Sequence, residues 1–130
     1  SVAIVGRFPF VERVRSKVGS CFVLEQAPLP GEISSDRASD ILPKADVVAI
    51  TGMTLINHTL DNLLTYCRSD AKILLLGPST PLSDILFQYK IHYLSGSVVE
   101  NVDAVLDGVM KGLNFRQLHH LGVRLVTMSC

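Results

Sequence analysis

The sequence predicts an α/β domain: a three-layer sandwich with a mostly parallel sheet of five to six strands and helices on both faces. Three observations predict it. Short apolar runs alternate along the chain with segments of helical period, the pattern of repeated βαβ units. The runs are continuously apolar rather than alternating, as strands covered on both faces are. Loops rich in Gly, Pro, Ser and Thr follow the runs, where open α/β sheets carry ligands. The expected architecture is therefore Rossmann-like.

Residues 2–5 are the first apolar run, and the chain enters it at once. The start has no signal-peptide flanks and no initiator Met. Processing, or membership of a longer polypeptide, accounts for such a start. Pro9 suits a first helical turn, and Val11, Val14 and Val18 then mark the first helix. Residues 21–24 are the second run. Ala38, Ile41 and Leu42 mark a short second helix stopped near Pro43. Residues 47–50 follow, then Leu60, Leu63, Leu64 and Cys67 at i, i+3, i+4, i+7, one face of a third helix. Residues 73–76 form the fourth run, after which Thr80 is the expected cap and Pro81 the first residue of a fourth helix carrying Ile85 and Leu86. A weaker fifth run spans 91–94. Asn101 caps a fifth helix whose expected buried face is Val102, Val105, Leu106, Val109 and Met110, with Gly112 ending it. Residues 114–122 read as a short helix and 123–127 as a last edge strand. No repeat, low-complexity tract or linker intervenes, so 1–130 reads as a single domain.

Composition narrows the function classes. Hydrophobic residues are 48% and charged residues 18%, enough apolar content for a packed core. Twelve Lys and Arg balance twelve Asp and Glu, so no basic stripe is left to hold nucleic acid. No apolar run reaches the roughly 18–20 residues of a membrane span. Cys21, Cys67 and Cys130 are far apart, odd in number and without CxxC spacing. That argues against disulfides or a structural zinc and for a reducing, cytoplasmic setting. His58, His92, His119 and His120 show no HxxxH or HExxH spacing, and no GxSxG elbow is present, so hydrolase chemistry has no support.

Four loops lie where the strands should end. The first is Gly6-Arg7-Phe8-Pro9-Phe10. Bulky Phe8 stands where a dinucleotide fingerprint needs its second glycine, which disfavours close approach of a pyrophosphate, while Arg7 is placed to reach an anion. Alternatively the two phenylalanines simply wedge the turn against the core. The second holds Glu25, at the position where Rossmann domains place a carboxylate for ribose hydroxyls, followed by the stiff Pro28-Leu29-Pro30-Gly31 stretch. The third is Thr51-Gly52-Met53-Thr54-Leu55-Ile56-Asn57-His58-Thr59. Asn57 or Thr59 should cap the third helix, whose N-terminal N–H groups could face an anion. The fourth is Gly77-Pro78-Ser79-Thr80-Pro81-Leu82-Ser83. The candidate ligand-binding set is thus Gly6, Arg7, Phe8, Pro9, Glu25, Thr51, Gly52, Thr54, Asn57, His58, Thr59, Gly77, Pro78, Ser79 and Thr80.

Taken in order, these segments resemble a known family. They are the Phe8-Pro9-Phe10 turn after Gly6, Leu24-Glu25 with its Pro-x-Pro-Gly loop, Pro43-x-Ala45-Asp46, Thr51-Gly52-x-Thr54-Leu55-Ile56-Asn57-x-Thr59-Leu60, and Leu76-Gly77-Pro78-Ser79-Thr80-Pro81-Leu82. The pattern is similar to the Rossmann-like domain of the "putative heavy-metal chelation" family, prokaryotic proteins whose function is not established. The resemblance implies that this is the second domain of a two-domain architecture. Its partner there is an N-terminal domain like that of enolase, absent from this chain, with the site in the cleft between the two. It also implies metal handling and hence a divalent metal, although no cluster of soft ligands in the sequence supports chelation by this chain unaided.

Three readings follow. The first is a half-site for a small anionic or metal-containing ligand, with Glu25 and His58 supplying carboxylate and imidazole and Thr54, Ser79 and Thr80 supplying hydroxyls. The second is a nucleotide- or S-adenosylmethionine-type cofactor domain of a transferase, with Glu25 on a ribose. The third is a non-catalytic oligomerisation module, a homodimer formed through the last helix or the 123–128 edge. Neither the substrate nor a reaction is written in the sequence.

Overall fold

The computed structural model describes residues 1–130. Seven strands form one sheet: β1 (Val2–Val5), β2 (Cys21–Glu25), β3 (Ile33–Ser34), β4 (Val47–Thr51), β5 (Lys72–Leu76), β6 (Tyr93–Val99) and β7 (Val123–Ser129). Their order is β3-β2-β1-β4-β5-β6-β7. All neighbours are parallel except β6 and β7. The chain therefore builds outward from β1 through β2 to β3, then returns across β1 to lay down β4. That reversal makes the β1/β4 boundary a topological switch point. Seven strands replace the five to six expected, and the added one is β3, only two residues long and without a hydropathy signature.

Side-chain alternation along β1 divides the core. Ala3 and Val5 join the larger cluster with Ile50, Ile73, Leu75 and Leu94, covered by α2 (Ala38–Ile41) and by Leu60, Leu63 and Leu64 of α4 (Leu60–Tyr66). Ile4 and Val23 face the other way, onto Val11 of α1 (Val11–Arg15) and the rings of Phe8 and Phe10. The sheet thus has helix on both faces, as its continuous apolar runs require.

Several local expectations are corrected. The first helix stops at Arg15, short of Val18, and Pro9 lies before it. Pro43 does not stop the second helix, because a 3-10 turn carries the chain on through Leu42–Lys44. An extra turn of helix, α3 (Met53–Ile56), fills the loop after β4. Pro81 opens no helix; a 3-10 segment begins only at Asp84–Tyr89. β6 begins two residues later than expected and runs five further. Asn101 does cap α5 (Val102–Met110), its Oδ1 accepting from the Ala104 N–H at 3.1 Å. Only Val105 and Gly108 of that helix are buried, however, and Val102, Leu106, Val109 and Met110 are between 55% and 86% exposed. The stripe is real but faces outward, because α5 packs through Gly108 onto Leu113, Leu118 and Leu121 around α6 (Phe115–His119). Asn114 and Gln117 close a reciprocal capping box on α6.

Candidate functional site

Parallel strands deliver their loops to one rim, and the rim here carries two adjoining clefts. The first, of about 610 Å³, opens at the switch point beyond β1, β2 and β4. Gly6, Arg7, Glu25, Thr51, Asn57 and Thr59 from the expected set line it. The second, of about 1060 Å³, lies beside it and takes Arg7, Phe8, Pro9, Thr51, Gly77, Pro78 and Ser79 from the same set. Arg7, Thr51 and Met53 belong to both and form the wall between them.

The wall is rigid for identifiable reasons. Gly6 adopts φ 113°, and a Cβ there would stand 3.0 Å from Thr51 Cβ, so only glycine lets β1 leave the sheet so close to β4. Arg7, expected to reach an anion, is already paired with a carboxylate of its own chain. Its Nε donates to Glu32 Oε1 at 2.9 Å and its Nη2 to Glu32 Oε2 at 2.7 Å, a bidentate pair, with a longer bond to the Ala27 carbonyl. Those two hydrogen bonds and one from the Leu29 N–H hold the Glu32 carboxyl down at about 2, and the bonding to Glu32 raises the Arg7 guanidinium above its usual range. The pair ties the 27–32 loop over the end of β2, helped by Arg15 Nη2 donating to the Gly31 carbonyl.

Four expected residues line neither cleft. Thr54 is buried, and its hydroxyl donates to the Thr51 carbonyl at 2.7 Å, closing the turn into α3. Gly52 and Thr80 support the rim from beneath: a Cβ on Gly52 would stand 2.6 Å from Thr80 Oγ1. Thr80 therefore packs as a buried wedge rather than capping a helix, and its hydroxyl has no partner. His58 is exposed, with left-handed backbone at φ 60°. Neither Asn57 nor Thr59 caps α4 with a side chain. Thr59 holds the N-cap position without a capping bond, and Asn57 Oδ1 accepts from the Thr59 hydroxyl at 2.6 Å. With α3 inserted, Asn57 ends one helix instead of starting the next.

The structure adds residues that sequence reasoning passed over. Ser35 and Asp36, after β3, and Asn62 and Tyr66 on α4 line the first cleft. Thr59, Asn62 and Tyr66 stand at i, i+3 and i+7, a polar stripe readable beside the apolar one of the same helix. Glu32 carried no such signal, since its partner lies 25 residues away. Arg13, Phe115 and Leu125 join the second cleft from α1, α6 and β7.

As a metal centre the chain is incomplete. No three His, Cys, Asp or Glu side chains converge anywhere in it. Cys67 is buried, donates to the Leu63 carbonyl, and has its thiol pushed up to about 11 by burial, the opposite of a thiolate ligand. These residues do not fit a caged soft metal ion. Glu25 and Asp36 on the first cleft are the donors that could touch a metal carried in by other ligands.

Comparison with known proteins agrees with this architecture. A protein from Desulfitobacterium hafniense, whose crystal structure is described as that of a DUF364-family protein with unknown function, superposes with a TM-score of 0.87 at 31% identity, covering 99% of this chain and 52% of that one. A second protein so described, from Pyrococcus horikoshii, gives 0.89 at 24% identity, covering 99% of this chain and 54% of that one, and speaks for the fold alone. An uncharacterized protein of Methanocaldococcus jannaschii is 30% identical over 111 residues, 81% of this chain and 43% of its own length. The chain thus spans about half of each of these relatives. No helix is long and apolar enough to cross a membrane. The family model described as "Putative heavy-metal chelation" matches residues 1–128, and the chain belongs to that family, DUF364.

Proposed function

We propose that this domain supplies one wall of a small-molecule site at the switch point, and that the ligand there is cationic or metal-bearing rather than anionic. One observation carries the choice. Arg7 is the only cation lining the first cleft and is already neutralised by Glu32, which leaves Glu25 and Asp36 as the charges a ligand would meet. Amides of Gln26, Asn57 and Asn62 and the Ser35 hydroxyl add donors and acceptors suited to a hydrated or amine-bearing surface. Two carboxylates without a third convergent ligand bind a metal complex or organic cation better than they cage a bare ion.

Calorimetric titration with hexaamminecobalt(III), a metal complex that keeps its own ligands, tests this at moderate salt. Glu25→Gln/Asp36→Asn should weaken binding by about tenfold or more. Inorganic phosphate should bind no more tightly than to the double variant. Unchanged cobalt-complex binding in the double variant, or tighter binding of phosphate to the wild type, would refute the reading.

A second reading, a homodimer module, is favoured by the outward apolar stripe of α5 and by β7, a seven-residue edge strand with no partner on its outer side. Leu106→Glu/Met110→Glu should then convert a dimer to a monomer in light scattering. A wild type that stays monomeric at high concentration removes this reading.

A further inference from the structure

We propose that the second cleft is a binding site for a flat aromatic acid, independent of what the first cleft holds. Its shape supports a planar ligand. Phe8 and Phe10 stack with centroids 5.0 Å apart and planes within 16°, and the stacked pair lines the cleft as one aromatic unit. Phe115 and Leu125 reach the same cleft from α6 and β7, and Met53 and Leu76 complete its apolar lining. At about 1060 Å³ the cleft has room for a multi-ring molecule.

Charge selects the acid. Two guanidinium groups border this cleft. Arg7 is consumed by Glu32, whereas Arg13 has no carboxylate within ion-pair distance and donates no hydrogen bond within the chain. Arg13 is thus an uncommitted cation at the rim of an aromatic-lined space, able to hold a carboxylate or sulfonate bidentately while the ligand's rings pack against the Phe8–Phe10 stack. The Ser79 hydroxyl, which is exposed and makes no bond within the chain, is a second polar contact on the same border. Other polar groups of the lining are occupied: the Ser95 hydroxyl pairs with that of Thr127 at 3.0 Å, and Thr51 Oγ1 accepts from the Met53 N–H.

The test uses two fluorescent probes of similar shape and different charge, 8-anilinonaphthalene-1-sulfonate and uncharged N-phenyl-1-naphthylamine, each titrated into the folded protein. Both should bind saturably at one site. Arg13→Gln should weaken the sulfonate by about tenfold and leave the neutral probe within about twofold. Leu125→Asp, at a half-exposed position, should weaken both. Glu25→Gln/Asp36→Asn should change neither, so failure here and failure of the first-cleft reading give different results. If Arg13→Gln affects the two probes alike, the acid preference is wrong. If Leu125→Asp leaves both unchanged, the probes bind elsewhere and the site is wrong.

Discussion

Gly52→Ala sets two effects of opposite sign against each other. Gly52 has φ −57° and ψ −19°, an ordinary helical conformation at the start of α3. Backbone considerations alone therefore favour alanine, by about 0.4–1 kcal/mol through the unfolded chain. Packing opposes it. The new Cβ would lie 2.6 Å from Thr80 Oγ1, 2.8 Å from Thr80 N and 3.0 Å from Thr80 Cα, and two of those three atoms are backbone. Thr80 cannot retreat, because a Cβ on Gly96 would stand only 2.4 Å from the Thr80 carbonyl oxygen on the other side. Overpacking against such a wedge costs about 1–3 kcal/mol, so the net expectation is a loss of about 1–2 kcal/mol. For a domain of this size that lowers Tm by about 4–8 °C. Urea denaturation read by circular dichroism measures it, with Gly19→Ala as the control, since nothing lies within 4 Å of a Cβ there. The control should be neutral or slightly stabilising. A Gly52→Ala protein as stable as the wild type would show that the β4–α3 turn does not rest on Thr80, and the account of how the rim is supported would fall.

Acid stability should report the Arg7–Glu32 pair. The Glu32 carboxyl is depressed to about 2 in the folded state, so its contribution is complete above the unfolded carboxylate range near 4.5 and is lost as pH falls toward 2. Glu32→Gln should therefore flatten the fall of Tm across that window while lowering Tm at neutral pH; parallel wild-type and variant curves would contradict the pair's role. Cysteine labelling should be graded: exposed Cys130 reacts with iodoacetamide in the native protein, whereas buried Cys67, its thiol raised to about 11, reacts only on unfolding, as mass spectrometry of quenched samples would show. Ile50→Ala, at a fully buried position of β4, should cost about 2–5 kcal/mol in denaturant unfolding, and a loss below 1 would mean the core relaxes into the space.

What could be read from sequence depended on whether a signal was local. β1, β2, β4 and β5 were legible because strands buried on both faces must be apolar throughout. β6 was misplaced because its middle is Ser95-Gly96-Ser97, polar and small for a tertiary reason: Gly96 makes room for the Thr80 carbonyl. The same wedge defeated the Thr80-Pro81 cue, which marks a helix start only when the threonine is free to cap. α5 shows the limit of periodicity. Its stripe correctly gave a helix, but amphipathicity does not say which neighbour covers the apolar side. At the rim, Gly6, Glu25, Thr51, Asn57 and Ser79 were found from loop position, since strand polarity alone sends them to one edge. Glu32 and Phe115 were not, because each arrives through a contact between segments distant in sequence.

Two clefts of unlike character on one rim follow from the pleat. Successive residues at a strand end face opposite sides of the sheet, so the exits of β1 and β4 serve both faces at once. On one side, the loop after β3 and the polar stripe of α4 bring Asp36, Asn62 and Tyr66 toward Glu25. On the other, α1, α6 and β7 bring Arg13, Phe115 and Leu125 toward Phe8 and Phe10. The family description concerns heavy metals, and soft ions prefer thiolate and imidazole ligands. No Cys or His of this chain lines either cleft: Cys67 is buried, and His58, exposed on a left-handed turn after β4, is outside both linings. On the reading proposed above, a metal handled at this rim would arrive with ligands of its own or take them from groups beyond this chain, and the carboxylates of the first cleft would meet the complex rather than the bare ion.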